Sequence, residues 1–223
     1  NFHGGGFMKG RQDKDRVFCS RMAEKFNALV WDVDYSLAPE NPFPKAVDEA
    51  YQVVKYAFEH SKELEAAIAI LEYYGMEGKT MDVAKKAGET REFQPKGLIA
   101  EFFPTDLYTD PVLKTRIEGD MPAETARIYN AFYCEGEAAK NPYVSPLFAE
   151  EEQLRGFPET LIMSAGLDSL CFEDEEFAMK LSRAGVPVTC KRFTKSHHGF
   201  TINRTDEWEE SLSLIEKFME RLV

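Results

Sequence analysis

No stretch of this 223-residue sequence stays apolar for the roughly 18 residues that a membrane-crossing helix requires. Positive charge is also in short supply. Against 39 Asp and Glu there are 27 Lys and Arg, a net charge of −12. That balance excludes the basic footprint demanded by nucleic-acid phosphates, and it offers no attraction to an anionic membrane. Cysteine is sparse: Cys19, Cys134, Cys171 and Cys190 are scattered without metal-ligand spacing. They read as reduced thiols, which places the expected location in the cytoplasm. No signal peptide is visible, but the sequence opens almost on a motif, so residues are expected upstream of Asn1. There is no His-x-x-x-His, no cysteine pair and no Gly-x-x-x-x-Gly-Lys, so neither a metal nor a phosphate-bearing cofactor is expected.

A nucleophile turn is missing as well. None of the ten serines has glycine two residues before it, and no cysteine does either. Ser164-Ala165-Gly166 imitates half of such a turn, with Ile162 where the first glycine should stand.

What is present begins at the first residue. Asn1-Phe2-His3-Gly4-Gly5-Gly6-Phe7 leads through an apolar stretch, Ala28 to Trp31, to Asp34-Tyr35-Ser36-Leu37-Ala38-Pro39-Glu40-Asn41-Pro42-Phe43-Pro44. Three glycines leave backbone free of Cβ atoms, able to take positive φ and to aim N–H groups at a developing negative charge. Taken together, the two motifs and their spacing resemble the hormone-sensitive-lipase-like family of α/β-hydrolase esterases. The resemblance implies that Gly5 and Gly6 supply oxyanion N–H groups, with His3 and Gly4 as structural members of the motif. His3 would then stabilise the loop rather than act as a base, and Glu40 would be an acceptor beneath the turn.

Periodicity predicts a helix from Asp13 to Phe26 with Val17, Met22 and Phe26 inward, then a strand from Ala28 to Tyr35. An amphipathic helix follows over Lys45 to Leu64, with Val47, Ala50, Val54, Ala57 and Phe58 in one stripe. Glu65 to Tyr73 reads on as helix without a turn residue. In the resembled family a strand and a Gly-x-Ser-x-Gly elbow come between these two helices. The loss of a central strand would leave neighbouring strands with unpaired buried backbone groups. A missing segment is therefore expected between Leu64 and Glu65. Tyr73 to Gln94 reads as an exposed connection and Gly97 to Phe103 as a strand. By resemblance, 105–146 contributes to a cap, with Phe132 and Tyr133 as aromatic candidates for the pocket that also suit core packing.

Thr160 to Ala165 and Val186 to Phe193 are the last two strands, separated by a helix from Glu173 to Ala184. A closing helix carries Trp208, Leu212, Ile215, Met219 and Leu222 on one face. Alternating strands and helices predict an α/β fold: one domain over 1–223, with a mostly parallel central sheet flanked by helices and a partial cap. Asp168 follows the first of these strands and His198 the second, in the chain order acid then histidine used by α/β-hydrolases. Asp168 in Gly-Leu-Asp-Ser-Leu and His198 in His-Gly-Phe match the family's catalytic motifs. His197 is the competing base, displaced by the Gly-Phe register.

The function this implies is a serine carboxylesterase for short-acyl, acetyl-like esters, needing no cofactor, whose serine lies in the missing segment. Its partner is a small-molecule ester rather than nucleic acid or membrane, and a homodimer is left open. Two alternatives remain: a carbohydrate acetyl esterase, and a non-catalytic binder like the plant gibberellin receptors, which resemble this family but lack the histidine kept here.

Overall fold

The computed structural model describes residues 1–64, 70–71, 90 and 93–222. The Leu64–Glu65 junction, the remainder of the expected helix from Glu65 to Tyr73, and most of 73–94 lie outside the described residues.

The glycine-rich opening leads into α1 (Asp13–Phe26), whose first turn carries Asp13 and Asp15 at the positive end of the helix dipole. The Asp15 carboxylate accepts the Gln12 N–H at 2.7 Å, which closes the N-terminus. Helix α2 (Lys45–Glu59) buries Ala46, Val47, Ala50, Tyr51 and Val54. It ends five residues before the predicted Leu64, where a turn begins and His60 Nδ1 donates to the Tyr56 carbonyl at 2.8 Å.

Four parallel strands form the sheet in the order β1 (Ile70–Leu71), β2 (Gly97–Glu101), β3 (Glu159–Ala165) and β4 (Val188–Phe193). Parallel neighbours require crossovers, and these carry the helices. Between β2 and β3 lie α3 (Ala123–Tyr133) and the short α4 (Glu151–Leu154), and α5 (Cys171–Arg183) joins β3 to β4. The chain closes with α6 (Phe200–Asn203) and α7 (Trp208–Leu222).

Side chains alternate across the sheet. Leu98, Ala100 and Ile162 face a cluster with Ala50 and Val54 of α2 and Phe177 and Leu181 of α5. Ile99, Leu161, Met163 and Ala165 face the other way, against Phe18 and Met22 of α1 and Leu212, Ile215 and Phe218 of α7. Helices on both faces account for the near-continuous burial of β2 and β3.

Four expectations differ in detail. Helix α1 buries the expected Met22 and packs the expected Phe26 against the same cluster, but turns Phe18 and Cys19 inward in place of Val17, which is 46% exposed. In α2, Phe58 is exposed while Tyr51 is buried. Ile70–Leu71 is strand rather than helix, paired with Leu98 and Ile99; a short apolar run does not distinguish the two by period alone. Of the strand expected over Ala28–Tyr35, the structure keeps an isolated parallel bridge between Phe2 and Val33.

Candidate active site

Strands β3 and β4 run side by side, with Ala165 opposite Phe193 at their ends. The turns leaving them are therefore neighbours. Gly166 N–H donates to the Phe193 carbonyl (2.7 Å) and Leu167 N–H to the Ser196 carbonyl (2.9 Å). A Cβ on Gly166 would stand 2.6 Å from Thr194 Cα, so only glycine lets the two turns approach this closely.

The first turn presents Asp168 and the second His198. Asp168 is almost wholly buried. One carboxylate oxygen accepts the Leu170 N–H at 3.0 Å, and the other lies 2.7 Å from His198 Nδ1. That contact assigns the proton to Nδ1 and leaves Nε2 to act as acceptor. Burial works against charge on the imidazole, but the Asp168 carboxylate outweighs it, with a smaller contribution from Asp120, and the His198 pKa is raised above its ordinary value. The Phe102 ring lies 5.7 Å from the imidazole, centroid to centroid.

His197 goes elsewhere. Its backbone N–H donates to Asp206 Oδ2 at 2.9 Å, its Nδ1 lies 3.1 Å from the same oxygen, and its side chain is 68% exposed.

Across the cavity lies the glycine turn. Lys9 N–H donates to the Gly5 carbonyl at 3.0 Å, and Gly5 and Gly6 take φ of +139° and +57°. A Cβ on Gly5 would sit 2.5 Å from the Lys9 carbonyl oxygen, and one on Gly6 3.1 Å from the Tyr129 ring. His3 is fully buried and stacks on Tyr35 at 4.4 Å. Its Nδ1 donates to the Gly4 carbonyl at 2.9 Å, and the Tyr35 hydroxyl donates to the His3 carbonyl at 2.6 Å. Burial lowers the His3 pKa, which keeps the ring neutral. His3 and Gly4 thus brace the turn from beneath.

Gly5, Gly6, Asp168 and His198 all line one cavity of about 440 Å³. Its remaining wall comes largely from 104–130, held against the strand turns by polar contacts. Asp120 accepts the Ser169 N–H at 2.8 Å, and Ser169 Oγ accepts the Ile117 N–H at 3.0 Å. Lys114 pairs with Glu173 at 3.0 Å, a carboxyl that burial pushes up to about 7 despite the lysine.

Some contributors were not foreseen. Tyr129 lines the cavity, whereas Tyr133 is core, stacked on Phe7 at 3.7 Å, and Phe132 is 43% exposed. Helical spacing put Tyr129 on the same stretch but did not say which aromatic turns inward. Glu40 is exposed and accepts no hydrogen bond among the described residues. The acceptor beneath the turn is Glu49 of α2, which takes both the N–H and the hydroxyl of Ser36 at 2.8 Å. A carboxylate early in the helix after a proline-rich turn was the available signal. Ser164 lies on β3 with its hydroxyl donating to Glu175 at 3.2 Å, away from the cavity. Ser169 is the one serine among the described residues that line it.

Residues 1–202 match the family described as the alpha/beta hydrolase fold. Among curated proteins, Esterase LipI of Mycobacterium tuberculosis is 28% identical over 204 residues, covering 89% of this chain and 64% of its own length. The carboxylic ester hydrolase LipN from the same organism is also 28% identical, with 89% of this chain and 56% of that protein covered. This chain thus spans about three-fifths of the curated relatives it matches. Among solved structures, a hormone-sensitive lipase from a metagenome library superposes with a TM-score of 0.85 at 29% identity, covering 100% of this chain and 77% of that one. The hyperthermophilic esterase of the archaeon Pyrobaculum calidifontis gives 0.86 at 28% identity, covering 97% and 73%.

Proposed function

Because the chain belongs to the α/β-hydrolase fold family, within its hormone-sensitive-lipase-like esterases, we propose that it is a serine carboxylesterase acting on short-acyl esters. The observation that carries this reading is the 2.7 Å contact between Asp168 and His198 Nδ1, opposite the Gly5–Gly6 turn in one cavity.

In this reading the nucleophilic serine belongs to a strand and turn at the Leu64–Glu65 junction that the sequence lacks. His198 Nε2 takes the serine proton as the hydroxyl attacks the ester carbonyl, and later gives it to the leaving alcohol. Asp168 holds the imidazole in the Nδ1–H tautomer and stabilises its protonated form. The Gly5 and Gly6 N–H groups stabilise the tetrahedral oxyanion, and losing one such donor typically costs ~10²–10³ in rate. Water then repeats the sequence on the acyl-enzyme. Residues 105–146 act as part of a cap over the acyl pocket.

The cavity size supports a small substrate. A volume of about 440 Å³ suits acetyl or butyryl esters. The p-nitrophenyl esters of acetate and butyrate should be cleaved far faster than the palmitate ester; preference for palmitate would favour a lipase. The absence of a Gly-x-Ser-x-Gly turn from the sequence favours a second reading, a hydrolase-fold binder. A fluorophosphonate probe separates the two. Labelling of the protein purified from its native source supports the esterase, and failure to label supports the binder.

A further inference from the structure

Asp168 has to hold its carboxylate against His198, so whatever fixes its turn bears on the chemistry. The Gly166 and Leu167 N–H groups donate across to the β4 turn, at the Phe193 and Ser196 carbonyls. Asp168 N–H donates to the Ala165 carbonyl at 3.1 Å, Leu170 N–H to the Asp168 carboxylate at 3.0 Å and Cys171 N–H to the Asp168 carbonyl at 3.1 Å. The Ser169 N–H differs. It lies in one peptide plane with the Asp168 carbonyl, and its acceptor comes from outside both strand turns: Asp120 Oδ2, at 2.8 Å.

Local sequence sets Asp120 in that position. Residues 117–120 form a turn closed by the Asp120 N–H, which donates to the Ile117 carbonyl at 3.3 Å, with Gly119 at φ +89° in its third place. A positive φ there is what a type II turn demands. The turn grips Ser169 at two points. Asp120 takes its N–H, and the Ile117 N–H donates to its Oγ at 3.0 Å. Arg116 steadies the same carboxylate, with Nη2 3.8 Å from Asp120 Oδ2, and donates to the Met121 carbonyl beyond it. The Asp120 side chain is mostly shielded from water, where a hydrogen bond to a charged acceptor is strong.

We propose that Asp120 is a positioning residue for the acid–base pair, holding the Asp168–Ser169 peptide so that the Asp168 carboxylate stays against His198 Nδ1. This deepens the esterase reading and rests on the same cavity, which Asp120 and Ser169 both line. Tilting that peptide breaks a charge-assisted hydrogen bond, and a small tilt carries the carboxylate out of line with the imidazole. The grip also delivers charge. Burial and Lys14 work against a protonated His198, whereas Asp168 and then Asp120 favour it.

NMR of the 223-residue chain tests this without turnover. The His198 Nδ1 proton, shared with Asp168, should give a resolved downfield signal, and the Ser169 amide should exchange slowly with solvent. Asp120→Ala removes both acceptor and charge. It should weaken or abolish the Nδ1 signal and lower the His198 titration midpoint. Asp120→Asn keeps an acceptor oxygen, so it should retain the Nδ1 signal and lower the midpoint less. In the active protein, Asp120→Ala should lose about tenfold to a hundredfold in kcat, with a smaller change in KM, and Asp120→Asn should lose less. A role in stability alone would lower the thermal midpoint of Asp120→Ala and leave both histidine readings unmoved, which would overturn the proposal. Equal effects of the two substitutions would overturn it too. So would a Ser169 amide that exchanges, in the unaltered chain, as fast as an exposed one, a measurement that stands even if Asp120→Ala does not fold. Failure of the esterase reading looks different, as an absence of fluorophosphonate labelling with the Nδ1 signal and the slow Ser169 amide intact.

Discussion

His198 is where charge, burial and position meet. Asp168 raises its pKa above the ordinary 6.5, and a general base must be neutral to accept a proton. Ester hydrolysis should therefore climb with pH through that raised value and level off above it. The 223-residue chain itself can report the titration: by NMR, His198 should titrate above 6.5, and Asp168→Asn should bring it down. An unmoved midpoint would mean that the 2.7 Å contact is not held in solution. In the active protein, His198→Ala should lose orders of magnitude in rate, whereas His197→Ala should retain most activity because its partner is Asp206. Glu101 makes a separate case. It is fully buried at the end of β2, and desolvation pushes its pKa up to about 8. Between the ordinary carboxylate pKa and 8 the unfolded chain has released this proton and the folded chain still holds it. The folded state binds more protons there, so the contribution of Glu101 to stability is fully present below about pH 4.5 and is lost as pH rises toward 8. Glu173 and Asp174 are shifted in the same direction and share the slope. Glu101→Gln should leave stability at pH 5 nearly unchanged and raise it at pH 8 by a few kcal/mol, at about 1.4 kcal/mol per pKa unit removed. Urea unfolding at the two pH values measures this, and parallel loss in both proteins would contradict it.

At the scale of elements, the two turns converge because β3 and β4 beneath them are in register, and the glycine loop faces them across one cavity. Their legibility in the sequence follows from how local each one is. The His3–Phe7 and Asp34–Pro44 motifs, Asp168 and His198 all stand in short strings whose turn chemistry can be read within a few residues. The contacts that assemble the far wall cannot be read that way. Lys114 meets Glu173 across 59 positions and Asp120 meets the Ser169 backbone across 49, and no local pattern marks either pair. Val17 was misplaced for a related reason: Val17 and Phe18 are both apolar, and only the packed sheet decides which one faces it. The glycine loop yields a graded prediction. Gly5→Ala forces a Cβ to 2.5 Å from a carbonyl oxygen at φ +139°, where backbone must move. Gly6→Ala meets the edge of the Tyr129 ring at 3.1 Å at φ +57°, a left-handed conformation that costs an alanine about 1–2 kcal/mol. Both should lower thermal stability, Gly5→Ala more. Gly6→Ala combined with Tyr129→Leu should recover part of the loss, because it makes room for the methyl group. Equal destabilisation by the two single changes would argue against this geometry.

At the scale of the whole molecule, strand pairing among the described residues is extensive from β2 to β4 and short at β1. Strand β2 pairs with β3 along all five of its residues, from Gly97 to Glu101. Toward β1, among the described residues, it pairs at Leu98 and Ile99. The parallel bridge of Phe2 with Val33 stands apart from the four-stranded sheet. In the missing-segment reading, a strand of ordinary length, ~5–6 residues, would lie between the sheet and that bridge and bring the glycine turn into the same sheet. Its following turn would open at the carboxyl ends of the strands, where Asp168 and His198 already lie. This is the place an elbow would occupy, and it is why the missing segment and the missing nucleophile are treated as one event at Leu64–Glu65. Inserting about 15–20 residues there, with a β-strand followed by Gly-x-Ser-x-Gly, should raise the unfolding midpoint by satisfying buried backbone groups. It should also confer fluorophosphonate labelling that Ser→Ala in the insert abolishes. The native protein offers a direct check by mass spectrometry. Trypsin cuts after Lys62 and Lys79, so a chain continuous at the junction releases the peptide 63–79. The missing-segment reading expects that peptide to be absent from protein isolated from its own source, with a longer one carrying the serine turn in its place. Finding 63–79 intact as the sole product, together with no labelling by the probe, would sink the esterase and leave a cavity that binds esters without cleaving them.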